Sequence, residues 1–198
     1  MNIVLSDIIF HVPGYISDSM SEEEFFQFCQ QNEIARIERD EKKQIIIQPP
    51  TYTFEGIFRG KISCALGLWN GKQNSGVCFD SSTGFTLPDD SVRSPDASWM
   101  SNKKYAHISD DEKQKFAHVC PDFVFELKSP SDNLKYLTDK MRKWIENGCA
   151  LGWLVNPYNK TVVIFRQNGT VDKVTGFNNI LSGEDVLPGF KLDLSILL

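Results

Sequence analysis

An apolar run broken by two opposite charges, Phe123-Val-Phe-Glu-Leu-Lys128, limits what this chain can fold into more than any other stretch. Its aromatic and β-branched residues predict a strand. Ser129-Pro-Ser-Asp132 then stops that strand, since proline cannot donate to a ladder, and is expected to cap a helix. Within the helix Leu134, Leu137, Met141, Trp144 and Ile145 form one apolar stripe. Gly148 falls just past its end, where a left-handed cap is favoured. Leu151 to Val155 is uniformly apolar, as a strand buried on both faces is. Strand, helix and strand in this order imply a parallel pair joined by a right-handed crossover.

The rest of the chain adds elements around that unit. Ser21 to Glu24 has the form of a capping box, and Phe25, Phe26, Phe28 and Cys29 continue it as a short helix to about Asn32. Ile34 to Glu38 and Gln44 to Gln48 read as a hairpin that ends at Pro49-Pro50. From Glu55 to Asn70, Phe58, Ile62, Ala65, Leu66 and Trp69 keep the three-four spacing of a buried helical face. Short strands follow at Val77 to Asp80, Phe85 to Leu87 and Ala97 to Met100. Lys103 to Ala117 is a polar, partly helical excursion, Thr161 to Arg166 is a further strand, and Leu187 to Phe190 with the apolar tail forms a packed edge. The expected class is α/β (α+β mixed): a mixed β-sheet flanked by helices. With 198 residues, 41% of them apolar, one domain over 1–198 is expected, residues 1–20 serving as an N-terminal arm.

Charge and cysteine usage narrow the function classes. A net charge of -5 gives no general attraction to nucleic acid, so any such contact needs a local basic surface. The five cysteines are widely spaced without a Cys-x-x-Cys, and the three histidines lack ligand spacing, which excludes a disulfide scaffold and a zinc module. No apolar stretch reaches the length of a bilayer span, and no basic residue precedes the first apolar ones. A cytoplasmic protein without a membrane partner is expected.

The chemistry centres on the charged strand. Alternation puts Glu126 and Lys128 on one face roughly 7 Å apart, with Phe123, Phe125 and Leu127 on the other. Charges within an apolar strand are costly unless paired or bound to a metal. One reading is a structural Glu–Lys pair at a strand end. The other is a site where the carboxylate binds a hard cation and the ammonium orients water, the two things phosphodiester cleavage needs. Oxygen ligands favour magnesium or manganese over zinc. Asp96, which follows Pro95 and opens the strand at Ala97, is the candidate second carboxylate.

Arg93-Ser-Pro-Asp-Ala-Ser-Trp99 and Pro121-Asp-Phe-Val-Phe-Glu-Leu-Lys-Ser-Pro-Ser-Asp132 resemble the two signature stretches of the Uma-type family of restriction endonucleases. Phe79 to Phe85, Lys140-Met141 with Asn147-Gly148, Leu151 to Leu154 and Leu187 to Phe190 extend the likeness, which runs from about Ile34 to the C-terminus. The resemblance implies the PD-(D/E)XK superfamily and a restriction-endonuclease-like sheet. It implies a catalytic set of Asp96, Glu126 and Lys128, with Mg2+ (or Mn2+) held by Asp96, Glu126 and the Leu127 carbonyl while Lys128 positions water. Glu38 resembles an acid the family often carries beside its site; a solvated hairpin charge is the alternative. The superfamily often has an acid on the helix before the meander, where this chain has Lys61, with Glu55 only at the helix start. Lys135, Lys140, Arg142 and Lys143 could contact phosphates, Lys140 lying within the likeness, or could form a solvated face. The four tryptophans read as core rather than as base-stacking groups. The implied function is a Mg/Mn-dependent endonuclease acting on DNA, with a homodimer suggested by superfamily likeness. The alternative is a catalytically silent nucleic-acid- or protein-binding module on the same fold.

Overall fold

The computed structural model describes residues 2–5, 8–11, 20–48 and 50–198. At the N-terminus β1 (Asn2–Leu5) and β2 (Ile8–His11) pair antiparallel. Most of the rest of the expected arm lies outside the described residues. The capping box at Ser21 forms: its hydroxyl accepts from the Glu24 amide at 3.2 Å, the Glu24 carboxylate accepts from the Ser21 amide at 2.8 Å, and α1 (Glu22–Gln31) follows. A hairpin of β3 (Arg36–Arg39) and β4 (Ile45–Gln48) comes next, then the long α2 (Thr53–Gln73). Pro49, expected to end β4, lies outside the described residues.

The central sheet is then assembled. β5 (Gly76–Phe79), β6 (Phe85–Thr86), β7 (Val92–Arg93) and β8 (Ala97–Ser101) lead through the short α3 (Asn102–Tyr105) to β9 (Phe123–Leu127). After it come α4 (Leu134–Glu146), β10 (Leu151–Asn156), β11 (Thr161–Arg166), β12 (Val171–Thr175), β13 (Ile180–Ser182) and β14 (Lys191–Asp193). The six-stranded sheet runs β12-β11-β10-β9-β8-β5, and a smaller one runs β4-β3-β7-β6. β9 and β10 pair in parallel, with Glu126 beside Leu154, and all other neighbours in the central sheet are antiparallel. The predicted strand–helix–strand unit and the mixed sheet are both present.

Helices cover both faces of the sheet. On one, Phe58, Ile62, Leu66 and Trp69 of α2 bury against Phe123, Phe125, Leu127 and Trp153, and the C-terminal Leu187, Phe190, Leu194 and Leu197 complete this layer. The tail is thus part of the main core, not a sheet edge. On the other face Leu137, Met141 and Trp144 of α4 pack on Val124, Leu154 and Phe165. Burying each large apolar side chain is worth about 1.5–3 kcal/mol, so these two layers dominate stability. Gly152 of β10 has a specific steric duty: a Cβ there would collide with the Met141 side chain, so its absence lets α4 lie close.

Two expectations need correction. The helix cap is Asn133, whose side chain accepts from the amides of Lys135 and Tyr136, whereas Asp132 turns back to accept from the Ser129 amide at 2.7 Å. β7, β12, β13 and β14 were not anticipated. β7 is two residues long, and β12 is mostly exposed, so neither shows apolar alternation.

Candidate active site

The site grows from the register of β8 on β9. Ala97 stands opposite Phe125, so the next step along both strands brings Asp96 beside Glu126. The Asp96 amide donates to the Phe125 carbonyl at 3.0 Å, and the Leu127 amide donates to Asp96 Oδ2 at 2.8 Å. Asp96 therefore fastens the end of β9. Both carboxylates line one cavity of about 220 Å³, with Glu55, Arg59, Leu127 and Lys140 among its walls.

Glu126 lies on the α4 side of its strand, and α4 answers it. Lys140 Nζ sits 2.8 Å from Glu126 Oε1, and the Trp144 indole N–H donates to the same oxygen at 3.1 Å. Oε2 accepts no hydrogen bond among the described residues. Lys140 also donates to Glu38 Oε1 at 3.0 Å and to the Ser94 carbonyl at 3.2 Å, so the ammonium is held from three sides. Glu38 is completely buried and additionally accepts from Gln48 at 2.8 Å and from Arg93 at 3.4 Å. The hairpin acid is thus buried beside the site rather than solvated.

Electrostatics separate these carboxyls. Burial raises the Glu126 carboxyl above the ordinary range; Lys140 opposes that rise, while Asp96 and Glu38 add to it. Burial also acts on Glu38, but Lys140, Arg36 and Arg93 together outweigh it and hold that carboxyl below its usual value. For Lys140, burial favours the neutral amine, yet Glu126 and Glu38 prevail and keep it charged. Removing one member of such a buried network typically costs about 3–5 kcal/mol, because a charge is left unpaired.

Asp96 is held by arginines. Its Oδ1 lies 3.0 Å from Arg36 and 3.1 Å from Arg59. Arg36 also bonds the Ser94 carbonyl, and Arg59 donates to the Thr51 hydroxyl at 2.7 Å. The Nε–H groups of both arginines are buried and have no partner. Among the described residues no group of three or more His, Cys, Asp or Glu side chains is arranged to hold a metal ion.

Lys128 stands elsewhere. β9 ends at Leu127, so the alternation that placed Lys128 beside Glu126 stops one residue short. Lys128 Nζ donates to the Ser129 carbonyl at 2.7 Å and lies 5.6 Å from the centre of the Tyr158 ring, outside the cavity lining. The ammonium beside Glu126 belongs to Lys140. Lys61 likewise lies away from the cavity, donating to the Ile196 carbonyl, whereas Glu55 is buried and lines it. The helix acid therefore sits six residues, about one and two-thirds turns, earlier than expected.

Arg36, Arg59 and the Trp144 N–H were not singled out from sequence. Faint signals existed. Arg59 is four residues after Glu55, on the same helical face, and Arg36 alternates with Glu38 on β3.

The comparisons agree with this architecture. A crystal structure from Anabaena variabilis ATCC 29413, titled as a "putative nuclease belonging to DUF820", superposes with a TM-score of 0.69 at 17% identity, covering 81% of this chain and 88% of that one. At that identity the likeness shows the fold. No curated protein matches the chain. No helix among the described residues is long and apolar enough to cross a membrane. The family Uma2, described as "Putative restriction endonuclease", matches residues 22–195, and the chain belongs to it.

Proposed function

We propose that this protein is a divalent-metal-dependent endonuclease that hydrolyses phosphodiester bonds in DNA, through Asp96 and Glu126 of a PD-(D/E)XK motif, with Lys140 rather than the motif's own Lys128 as the amine of the site. One observation carries the reading: two carboxylates from neighbouring strands line one cavity, with a buried ammonium 2.8 Å from one of them. Membership of a restriction-endonuclease family supports it.

The donor set fits a hard ion. Among the described residues Glu126 Oε2 has no partner, Asp96 lies beside it, and Leu127 of the same wall would offer its backbone carbonyl. Asp96 would join it by giving up its arginines. Mg2+ or Mn2+ bound there would offset charge on the transition-state phosphate and acidify its water. The chain's own groups do the rest. Lys140, fixed by Glu38 and Ser94, would turn its third N–H from Glu126 to the attacking water once a metal ion takes that carboxylate. Arg59 exchanges Asp96 for a phosphate oxygen, and its unpartnered Nε–H provides the second prong of a bidentate contact. Lys128 is left outside the cavity lining, beside Tyr158.

Plasmid nicking in Mg2+ or Mn2+, paired with calorimetric titration of the metal, tests the proposal. Nicking is expected from the unaltered chain and should vanish in Asp96→Asn and Glu126→Gln, along with metal uptake. Wild-type nicking by either variant would refute it. A second reading, a silent binding module, draws on the full saturation of Asp96 by Arg36, Arg59 and the Leu127 amide. It predicts DNA binding that survives both substitutions, with no cleavage in any metal.

A further inference from the structure

The mouth of the cavity carries aromatic rings that the proposed chemistry does not use. Tyr52 and Phe54 at the start of α2, Tyr136 in the first turn of α4 and Tyr158 in the β10–β11 turn are 58%, 51%, 43% and 49% exposed. Tyr52 and Tyr136 line the cavity itself. Tyr158 reaches it through Glu55, and Phe54 lies 6.3 Å from Tyr158 between ring centres. Single exposed aromatics are ordinary, but four from three elements around one opening form a surface.

Two of these rings are tethered from the inside. The Tyr158 hydroxyl donates to Glu55 Oε1 at 3.0 Å, and the Tyr136 hydroxyl accepts from Arg93 at 3.4 Å. Each hydroxyl is satisfied by a charged residue, Glu55 of the cavity wall for Tyr158 and the Glu38-paired Arg93 for Tyr136, which holds the ring in place while much of its surface stays open. Such a ring loses little conformational freedom when something stacks on it.

Charge decides what that something is. The chain carries -5 overall, and Asp132 adds a further carboxylate to the cavity wall. A double helix binds chiefly through many phosphate contacts, and among the described residues the cavity wall offers only the cations Arg59 and Lys140. Its base faces are also occupied by their own neighbours. An unpaired strand offers free base faces to the rings, so stacking adds to the phosphate contact that Arg59 provides at the cavity wall.

We propose that the cavity receives an unpaired nucleic-acid strand, with bases stacked on Tyr52, Phe54, Tyr136 and Tyr158 and the backbone directed to Arg59. The proposal rests on the nuclease reading of the same site, and its test separates the two.

The test uses the full chain carrying Glu126→Gln, so that substrate stays intact. Fluorescence anisotropy measures binding of one sequence as single-stranded DNA, single-stranded RNA and duplex DNA. Either single strand should bind roughly tenfold or more tightly than duplex. Tyr52→Ala and Tyr136→Ala should each weaken it by roughly five- to a hundredfold. These side chains are exposed, so truncation spares the core. Tyr158→Phe, which keeps the ring and cuts its tether, should act in the same direction but less. Equal or tighter binding of duplex overturns the proposal, as do ring substitutions that leave single-strand binding unchanged. If those substitutions instead dissociate a dimer seen by sedimentation without altering strand binding, the rim is a contact between copies and the proposal falls. Rim-dependent strand binding by a chain that cleaves nothing in any metal upholds it while the nuclease reading fails. Cleavage of duplex in preference to single strands does the reverse.

Discussion

On the α2 side of β9, Phe123, Phe125 and Leu127 disappear into a layer of phenylalanine, leucine and tryptophan. On the α4 side the same strand presents Val124 to Met141 and Trp144, and then, one step before its end, Glu126 to Lys140. Five consecutive residues are all buried, yet one face ends in hydrocarbon and the other in charge. The apolar face is held by area removed from water, which is non-directional and forgiving. The charged corner is held by geometry: every carboxylate oxygen of Glu38, Asp96 and Glu126 except Glu126 Oε2 has a named partner among the described residues, and burial penalises any charge left over. Stability should therefore be concentrated on the first face and chemistry on the second.

The largest effects should set the two faces apart. Phe125→Ala should cost about 3–5 kcal/mol in urea unfolding, through lost transfer energy and the cavity left behind. Glu126→Gln should lower cleavage by roughly a thousandfold, equivalent to about 4 kcal/mol of barrier. Its unfolding free energy should fall by less than the roughly 3 kcal/mol of a broken buried pair, because burial already opposes the charged form of that carboxyl and Lys140 keeps Glu38 as a partner. A Glu126→Gln chain as unstable as Phe125→Ala would erase the distinction.

Lys140→Met comes next. It leaves Glu126 and Glu38 short of a cation, and about 3 kcal/mol of stability should go with it. That is the low end for a broken buried pair, since Glu126 can take up a proton and Glu38 keeps Arg36 and Arg93. Cleavage should fall too. Chemical denaturation alongside a nicking assay measures both.

Acidity should resolve the corner more finely. The folded Glu126 carboxyl titrates above its ordinary 4.5, so metal uptake, which needs it ionised, should weaken as pH falls through that raised value. Glu38 behaves oppositely. Its folded pKa is depressed, so its contribution to stability is full above 4.5 and is lost as pH falls through the lower folded value. Calorimetric metal titrations and urea unfolding, each run across pH, should show metal affinity declining at a higher pH than stability. Coincident declines would mean that one group governs both.

The smallest effect is expected from Lys128→Met. Lys128 bonds its neighbour's carbonyl and touches Tyr158, so less than about 1 kcal/mol of stability should be lost, and cleavage should fall far less than in Lys140→Met. A collapse of activity in Lys128→Met with Lys140→Met active would return the water-positioning role to Lys128.

Local pattern alone determined much of this protein. The α1 cap, the β3–β4 hairpin, the apolar face of α2 and the parallel β9–α4–β10 unit all follow from spacing and turn chemistry, which act over a few residues. Asp96 and Glu126 were legible for the same reason, each being a charge at the edge of an apolar strand. Only the tertiary structure decided which amine stands beside Glu126. Alternation points to Lys128 for as long as β9 continues, but the strand stops at Leu127, and the partner arrives instead from α4, fourteen residues along the chain. The arginines on Asp96 and the pairing of Glu38 with Lys140, 102 residues apart, were hidden likewise. Periodicity reports which side of an element is buried. It carries no record of which distant charges burial brings together, and here that pairing sets up the site.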